Sequence, residues 1–427
     1  MQANNRLSSE MLWVALGMFA SMGVVLLGTR FLTTVLSTSE YGRLALMISL
    51  AGLFDQVIGH AIGGAAMRYY SIYQHKDRLS NLRKLVFFCL LCSAVICIFI
   101  AVLAAIFQWP AVNILLVSTL MFSIALLVSG VGVRLLEGAR RRKISAIFRT
   151  AFELMRFGTA IVIILYGSFS AESAMGGFMI GAGIIAIIHL YYIRFKLLGN
   201  EGGAKDTSQQ KDIAKSFLEY ARPLLLVGFA TWVFLMSPIW VLGWFGDISE
   251  VGVYGAYHQL AYVPMLVISG LLLTFLAPIM YEKTLVSIDH AMKDTFRLTS
   301  ITLIIVLLAA IVAYIAHNQI AALLLGEHFR SHSWIFPWLI IAGGFYGVAQ
   351  QLLLRFRAEM KTLELAGIQL VFAFLAVATY SLAAKNLGMN GVVYTVTALN
   401  TFLLVIAFLV AGVHRQNVQS DQDNINY

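Results

Sequence analysis

Charge is what this chain has least of. Only 12% of its 427 residues are Asp, Glu, Lys or Arg, about half the share found in a soluble globular domain. With 60% hydrophobic residues and a mean hydropathy of +0.82, there is too little polar surface to coat a water-soluble body. Cysteine is scarce as well: Cys89, Cys92 and Cys97 all fall within one apolar run, which excludes a disulfide framework. Cys89 and Cys92 form a single C-x-x-C with no second pair, so they are expected to pack within a helix rather than bind metal. Also missing are a phosphate-cradling Gly loop of the Walker kind, a nucleophile elbow and any His/Cys/Asp/Glu constellation with metal spacing. The chain is therefore expected to be no enzyme, with no catalytic residue, no metal and no resident cofactor. The apolar run that follows Met-Gln-Ala-Asn-Asn-Arg is too long for a signal-peptide core, so the first span is expected to be structural.

What the chain has in abundance is long apolar runs. A helix needs roughly 20 apolar residues to cross the hydrocarbon core. Suitable segments fall at 11–36, 42–67, 85–107, 112–134, 147–166, 174–195, 220–243, 251–278, 299–317, 333–354, 362–384 and 390–412. They are continuous rather than alternating, which excludes an outer-membrane barrel. The expected fold is an all-α integral membrane protein of about 12 transmembrane helices.

Lys and Arg in the short loops indicate direction. With both termini cytoplasmic, 25 of the 30 basic residues fall inside, only Arg43, Arg330 and Lys385 fall outside, and Arg30 and Arg156 stay within spans. Topology thus accounts for the net charge of +9, and no nucleic acid partner is implied. The run Arg140-Arg141-Arg142-Lys143 reads as an anchor beside anionic membrane lipid, with a first contact for a lipid head group as its alternative role.

External loops are short, the longest being 318–332. The longest polar stretch, 198–212, contains Gly and Ser and follows the sixth span. It divides the chain into a six-helix lobe at 1–198, a cytoplasmic linker at 199–217 and a second six-helix lobe at 218–427. An internal repeat supports the division. Ser39-Glu40-Tyr41-Gly42 recurs as Ser249-Glu250-Val251-Gly252 at an offset of 210, where Leu50-Ala51 also meets Leu260-Ala261. Glu153-Leu154 meets Glu364-Leu365 at an offset of 211. Lobes with an even number of spans share one orientation and are related by an axis along the membrane normal. Such a pair predicts a V around a central cavity.

Four short stretches then carry a family resemblance: Thr38-Ser39-Glu40-Tyr41-Gly42, Asp247 through Tyr254, Leu325-Gly326-Glu327-His328-Phe329, and Leu387-Gly388-Met389-Asn390-Gly391. In order and placement they are similar to the O-antigen and polysaccharide-repeat flippases of the multidrug/oligosaccharidyl-lipid/polysaccharide exporter superfamily. The resemblance implies alternating access and movement of an undecaprenyl-pyrophosphate-linked oligosaccharide from the cytoplasmic to the periplasmic leaflet of the bacterial inner membrane. It further implies a role in O-antigen lipopolysaccharide, capsule or exopolysaccharide biosynthesis. A polysaccharide polymerase and a chain-length regulator are the implied protein partners. Lipid II flippases usually carry extra helices that this chain lacks, which lowers lipid II as the expected cargo.

A charge at the bilayer centre costs roughly 2.5–3.5 kcal/mol on an insertion scale. The span residues Arg30, Asp55, His60, Glu153, Arg156, His189, His258 and Glu364 are therefore expected to line a wet cavity or pair with one another. Arg30 lies about 10 Å from the outer end of its span by helix rise, and its planar fork suits a pyrophosphate or acidic sugar. Arg30, Arg156, Arg134 and His258 are the substrate-path candidates. Asp55, Glu153 and Glu364 are the candidates for coupling to a proton or sodium gradient. Glu153 and Arg156, three apart, have the spacing of a helical ion pair, as a structural pair or a moving part. Asp55 and His60, five apart, do not stack. His189 and His258 are expected to hydrogen-bond at helix interfaces. Pro223, Pro238 and Pro264 remove helix hydrogen bonds and are the hinge candidates.

Two other functions compete. A multidrug-type, cation-coupled exporter of small molecules would be expected to hold acids without arginines. A membrane glycosyltransferase or polymerase acting on lipid-linked sugars would carry a large external domain, whereas the external acids Glu40, Glu172, Asp247, Glu250 and Glu327 are scattered.

Overall fold

In hydrocarbon a backbone can satisfy its own N–H and C=O groups by forming helices, and long apolar runs with few breakers leave little alternative. The computed structural model describes residues 2–74, 79–106, 114–198, 207–284, 288–359 and 361–425, and among them there is no strand. Twelve helical rods follow in order: α1 (Gln2–Val35), α2 (Thr38–Phe54, Asp55–Gly59 and His60–Gln74), α3 (Leu79–Ile106), α4 (Ile114–Gly138), α5 (Arg142–Tyr166) and α6 (Ala171–Tyr192 with Ile193–Leu197). Then come α7 (Thr207–Phe245), α8 (Ile248–Tyr257, His258–Tyr262 and Val263–Thr284), α9 (Ile288–Leu324) and α10 (Ile335–Ala358). The last two, α11 and α12, share Thr362–Ile425 and part at Gly388, whose φ of +58° favours glycine.

Two expected irregular stretches prove largely helical. Within 318–332, α9 runs on to Leu324 and a 3₁₀ turn covers Glu327–His332. Residues 199–206 of the expected linker lie outside the described residues, while 207–217 form the first turns of α7.

Among the described residues ten stretches are apolar enough to cross a bilayer, and the last of them, Leu363–Ala411, is long enough for both α11 and α12. The rod missing from that set is α5, which carries Arg149, Glu153 and Arg156. Large apolar side chains such as Phe88, Phe99, Ile187, Tyr314 and Phe374 face outward, as a lipid-facing surface requires. The chain is a multi-pass membrane protein. Small residues permit close helix crossings inside it: a Cβ on Gly28 would strike Phe157, and one on Gly177 would strike the Ala160 backbone. The three cysteines are unpaired and all lie on α3.

The repeated Ser-Glu-x-Gly has a structural cause. Its glycines are where the two lobes cross. A Cβ on Gly42 would collide with the Ile248 carbonyl, and one on Gly252 would collide with the Thr38 carbonyl. Thr38 and Ile248 are themselves 210 residues apart, so the contact is reciprocal about the axis relating the halves. Within each half the glutamate performs a matching task. Glu40 accepts a 2.7 Å hydrogen bond from the Ala171 amide at the start of α6, and Glu250 lies against Gly388 at the start of α12. Arg43 pairs with Glu40 and Glu172 in the first lobe.

The offset of 211 fares differently. The helices carrying Glu153 and Glu364 begin at Arg142 and Thr362, 220 residues apart. Glu153 therefore sits three turns into its helix and Glu364 in the first turn of its own, and the two are not structural equivalents.

This crossing seals the side of the molecule opposite the chain termini. There Thr33 of α1 also accepts a 3.0 Å hydrogen bond from the Gly326 amide of the other lobe, and Tyr41 meets Phe329 edge-on at 5.6 Å. A second seam runs along α2 and α7. Trp232 Nε1 donates to the Ser49 carbonyl at 2.8 Å. Gly228 abuts the Gln56 carbonyl. On the termini side, the Tyr69 hydroxyl donates to the Ser216 carbonyl at 3.0 Å, and Arg68 lies 4.5 Å from the Tyr220 ring centre.

If the glycine crossing is the seal, Gly252→Val should weaken it by about 1–3 kcal/mol through overpacking. A Ser49→Cys reporter, in a chain with the three native cysteines replaced by serine, should then react with an impermeant maleimide applied from the crossing side. Unchanged labelling would show that the glycines do not hold the lobes together.

Candidate functional site: a cavity between the lobes walled by ion pairs

Below the glycine crossing lies a cavity of about 230 Å³. Helices α2, α4 and α5 of the first lobe form one wall, with Tyr41, Asp55, Phe122 and Arg156, and α7 and α8 of the second form the other, with Trp232, Met236, His258 and Gln259. A second cavity of about 240 Å³ lies between α4 and α5 on the termini side. Arg134, Glu137, Arg149 and Glu153 line it, and Leu126 borders both cavities.

Two ion pairs cross the partition. Arg156 Nη2 donates to Glu153 Oε2 at 2.5 Å, joining a cavity arginine to a side-cavity glutamate. Arg134 Nη1 lies 3.7 Å from Asp55 Oδ1, joining a side-cavity arginine to a cavity aspartate. A third pair, Arg149 Nη2 to Glu137 Oε1 at 3.0 Å, closes the side cavity toward the termini. Burying these groups is tolerable because every charge has a partner.

The pairs are not held alike. Arg156 also lies among three aromatic faces, 4.6 Å from the Phe157 ring centre, 5.0 Å from Phe178 and 5.9 Å from Phe122, where cation–π attraction supports the guanidinium. Asp55 has a looser hold. Its 3.7 Å contact is beyond hydrogen-bond length, and Oδ1 is buried with no hydrogen-bond partner among the described residues. Glycines make the room: a Cβ on Gly59 or Gly130 would strike Asp55, and one on Gly63 would strike Arg134.

Each lobe carries a π turn at this depth. Asp55–Gly59 and His258–Tyr262 are π turns, with His60 N–H bonded to the Asp55 carbonyl and Val263 N–H to the His258 carbonyl. Such turns cluster at functional sites, and each here begins with a polar residue that lines the cavity. Pro264 lies two residues after the second turn, where it has no N–H to donate back to the helix. Pro223 and Pro238 both lie inside α7.

The remaining candidates are placed differently from expectation. Arg30 is not among the cavity-lining residues, and its buried Nη1 has no hydrogen-bond partner among the described residues. Glu364 is exposed in the first turn of α11, so it is not a buried charge. An acid there suits the positive end of the helix, which explains it without any partner. His189 is buried and stacks on Phe148 at 4.0 Å, with neither ring nitrogen hydrogen-bonded among the described residues. His258 lines the cavity, stacked 4.8 Å from Tyr262, but its Nε2 also lacks a hydrogen-bond partner there. Neither histidine is the interface hydrogen-bonder expected. Arg134 and Arg149, counted with the inside loops by position, sit within helices and face acids. Glu137 was singled out by nothing in the sequence. The only signal was its position three residues from Arg134 and twelve from Arg149. Among the described residues no group of three or more His, Cys, Asp or Glu is placed to hold a metal.

Comparison with known proteins adds to this picture. The family described as polysaccharide biosynthesis protein matches residues 7–284. No curated protein matches the chain. Among solved structures it resembles the lipid II flippase MurJ in an inward closed conformation, with a TM-score of 0.70 and 12% identity over 94% of this chain and 87% of that one. It also resembles an inward-facing multidrug resistance MATE family transporter of the MOP superfamily, with a TM-score of 0.62 and 14% identity over 97% and 98% of the two chains. A Vibrio cholerae MATE transporter gives 0.62 and 15% identity over 97% of each. At these identities the likeness is one of fold.

Arg134→Met should lower thermal stability in detergent by leaving Asp55 buried and unopposed, and Asp55→Asn in the same chain should recover part of it. Adjacent charges couple by about 0.5–3 kcal/mol in double-mutant cycles. Strictly additive losses would mean that the two side chains do not interact.

Proposed function

Because the chain belongs to the polysaccharide biosynthesis protein family, we propose that its central cavity carries the anionic head of a lipid-linked oligosaccharide across the bilayer. The lipid is undecaprenyl pyrophosphate, whose tail stays in the membrane between the lobes. The observation that carries this reading is Arg156. It is a guanidinium that opens into the inter-lobe cavity, with a planar donor fork matched to phosphate oxygens. Arg30, with its unpaired buried Nη1 near the outer end of α1, is a second contact for the anion on the exit side.

The loop charges favour cytoplasmic termini, and with the bacterial inner membrane as the proposed site the glycine crossing becomes the periplasmic seal. At about 230 Å³ the cavity falls short of the roughly 300–1,000 Å³ of sites for drug-sized ligands. A sugar repeat unit therefore enters only after the lobes part on the cytoplasmic side, and it leaves when the glycine crossing opens. The bends at the two π turns, Pro223, Pro238 and Pro264 supply the hinges for this alternating access. The chain itself makes and breaks no covalent bond in this cycle. A polysaccharide polymerase and a chain-length regulator would take the exported unit into O-antigen, capsule or exopolysaccharide. A proton or sodium gradient supplies the drive through Asp55 and Glu153. Glu364, exposed at a helix end, takes no part.

A second reading has one observation in its favour. Asp55 among Tyr41, Phe122 and Trp232 is also a lining that suits a hydrophobic cation, as a multidrug exporter would need. Arginine decides between them. Arg156→Ala should abolish surface polysaccharide with normal protein abundance, Arg156→Lys should restore little, and Arg30→Ala should lower the yield. Full polysaccharide in the Arg156 variant, with drug sensitivity in a deletion strain, would favour the cation exporter. For coupling, transport in vesicles should fall when the ion gradients are collapsed, and indifference to both gradients would remove that element.

A further inference from the structure

Six charges that wall the two cavities of the first lobe form an alternating series that admits two pairings. In the structure the pairs are Arg156 with Glu153, Arg149 with Glu137, and Arg134 with Asp55. The neighbours across these pairs are also within helical reach. Glu153 and Arg149 are four apart on α5, and Glu137 and Arg134 are three apart on α4, spacings at which side chains meet. Shifting every acid to its other neighbour yields Glu153 with Arg149 and Glu137 with Arg134. That leaves only the two ends unpaired, Arg156 and Asp55, and both ends line the central cavity.

We propose that this series is a switch linking the anion to a proton: an anionic head group on Arg156 shifts the pairing, and Asp55 takes up one proton. The inference rests on the reading of Arg156 as the anion grip and names what that grip does. Occupation of Arg156 removes the reason for Glu153 to stay there. Glu153 turns to Arg149, Glu137 to Arg134, and Asp55 is released. A carboxylate buried without a partner neutralises rather than remain charged, so a proton from cavity water bonds to its oxygen.

Three features make the shift practicable. All four inner residues border one side cavity of about 240 Å³, which gives their side chains room to turn. Arg156 keeps three phenylalanine faces when Glu153 leaves. Asp55 is the weakest link, already at 3.7 Å from its partner. The other titratable or charged groups that line the cavity with Asp55 are Arg156 from α5, His258 from α8 and Tyr41 from its own helix. Of these only His258 could accept the proton in its place, and the Asp55→Asn comparison, which leaves that histidine intact, separates the two.

The switch predicts opposite effects from its two inner ends. Glu137→Gln leaves Arg149 free to hold Glu153, so Arg156 starts free and Arg134 stays on Asp55. Inorganic pyrophosphate should bind more tightly, without the extra proton. Arg149→Gln leaves Glu153 on Arg156 and lets Glu137 hold Arg134. Pyrophosphate should bind more weakly, again without the extra proton because Asp55 is already protonated.

The measurement is calorimetric titration of the purified full chain with pyrophosphate in sodium-free buffers of different ionisation enthalpy. The natural chain should take up about one proton more per pyrophosphate than Asp55→Asn. The two inner variants should move affinity in opposite directions by roughly fivefold or more. Glu137→Asp, which keeps the charge, should restore the uptake. Thermal melts confirm that each variant is folded. If pyrophosphate binds through Arg156 with no excess proton, or both inner variants shift affinity the same way, the switch is overturned while the anion site stands. A response only to added sodium also overturns it. If pyrophosphate does not bind, or binds equally to Arg156→Ala, the anion reading itself is lost.

Discussion

The hydrocarbon core offers an ionised side chain no water, so the charges that wall the two cavities are held in pairs, along one helix or between neighbouring ones. Much of the first lobe follows from that constraint. Helix α5 is too polar to stand as a membrane span by composition, and it is tolerated because Arg149 and Glu153 face α4 while Arg156 lies among phenylalanines. The glycines on α2 and α4 are there for the same reason. They clear the space in which Asp55 and Arg134 approach each other. The partition between the two cavities is thus made largely of charge, in a protein with very little of it. Apolar side chains of similar volume are often as stable as buried ion pairs or more so, so stability alone does not account for these charges.

The two lobes share a plan but not a chemistry. Their repeated Ser-Glu-x-Gly performs the same two tasks in each half: the glutamate reaches the turn before the lobe's last helix, and the glycine crosses the other lobe. Backbone-on-backbone contact of this kind is close yet carries no side-chain interlock. Beyond the crossing the halves diverge. The ion pairs at the cavity belong to the first lobe. The second contributes Trp232, His258 and Gln259 to the lining, and its tyrosines stack around His258.

Of the three π turns among the described residues, those of α2 and α8 lie where the central cavity is lined, and the third ends α6. The turn in α8 ends two residues before Pro264, whose missing N–H is a cause visible in the covalent chain. The turn in α2 begins at Asp55 and contains Gly59, with no proline nearby. In that case the turn is a consequence of packing, and it aims Asp55 at Arg134.

Composition and periodicity alone determined that this is an all-helical membrane protein of about twelve spans, because the cost of unsatisfied backbone in lipid leaves no other fold for such runs. They also determined the duplication, since a crossing that requires glycine in both halves writes the same motif twice. The Glu153–Arg156 pair was legible because one helix sets both positions. Partners from different helices were not. Nothing in the spacing of Asp55 and Arg134, or of Glu137 and Arg149, shows which faces meet, and Glu364 looked buried only because its run is apolar. Tertiary packing alone decided which charges share a cavity, because ion pairing depends on distances of a few ångströms between helices whose rotation and depth no single segment encodes.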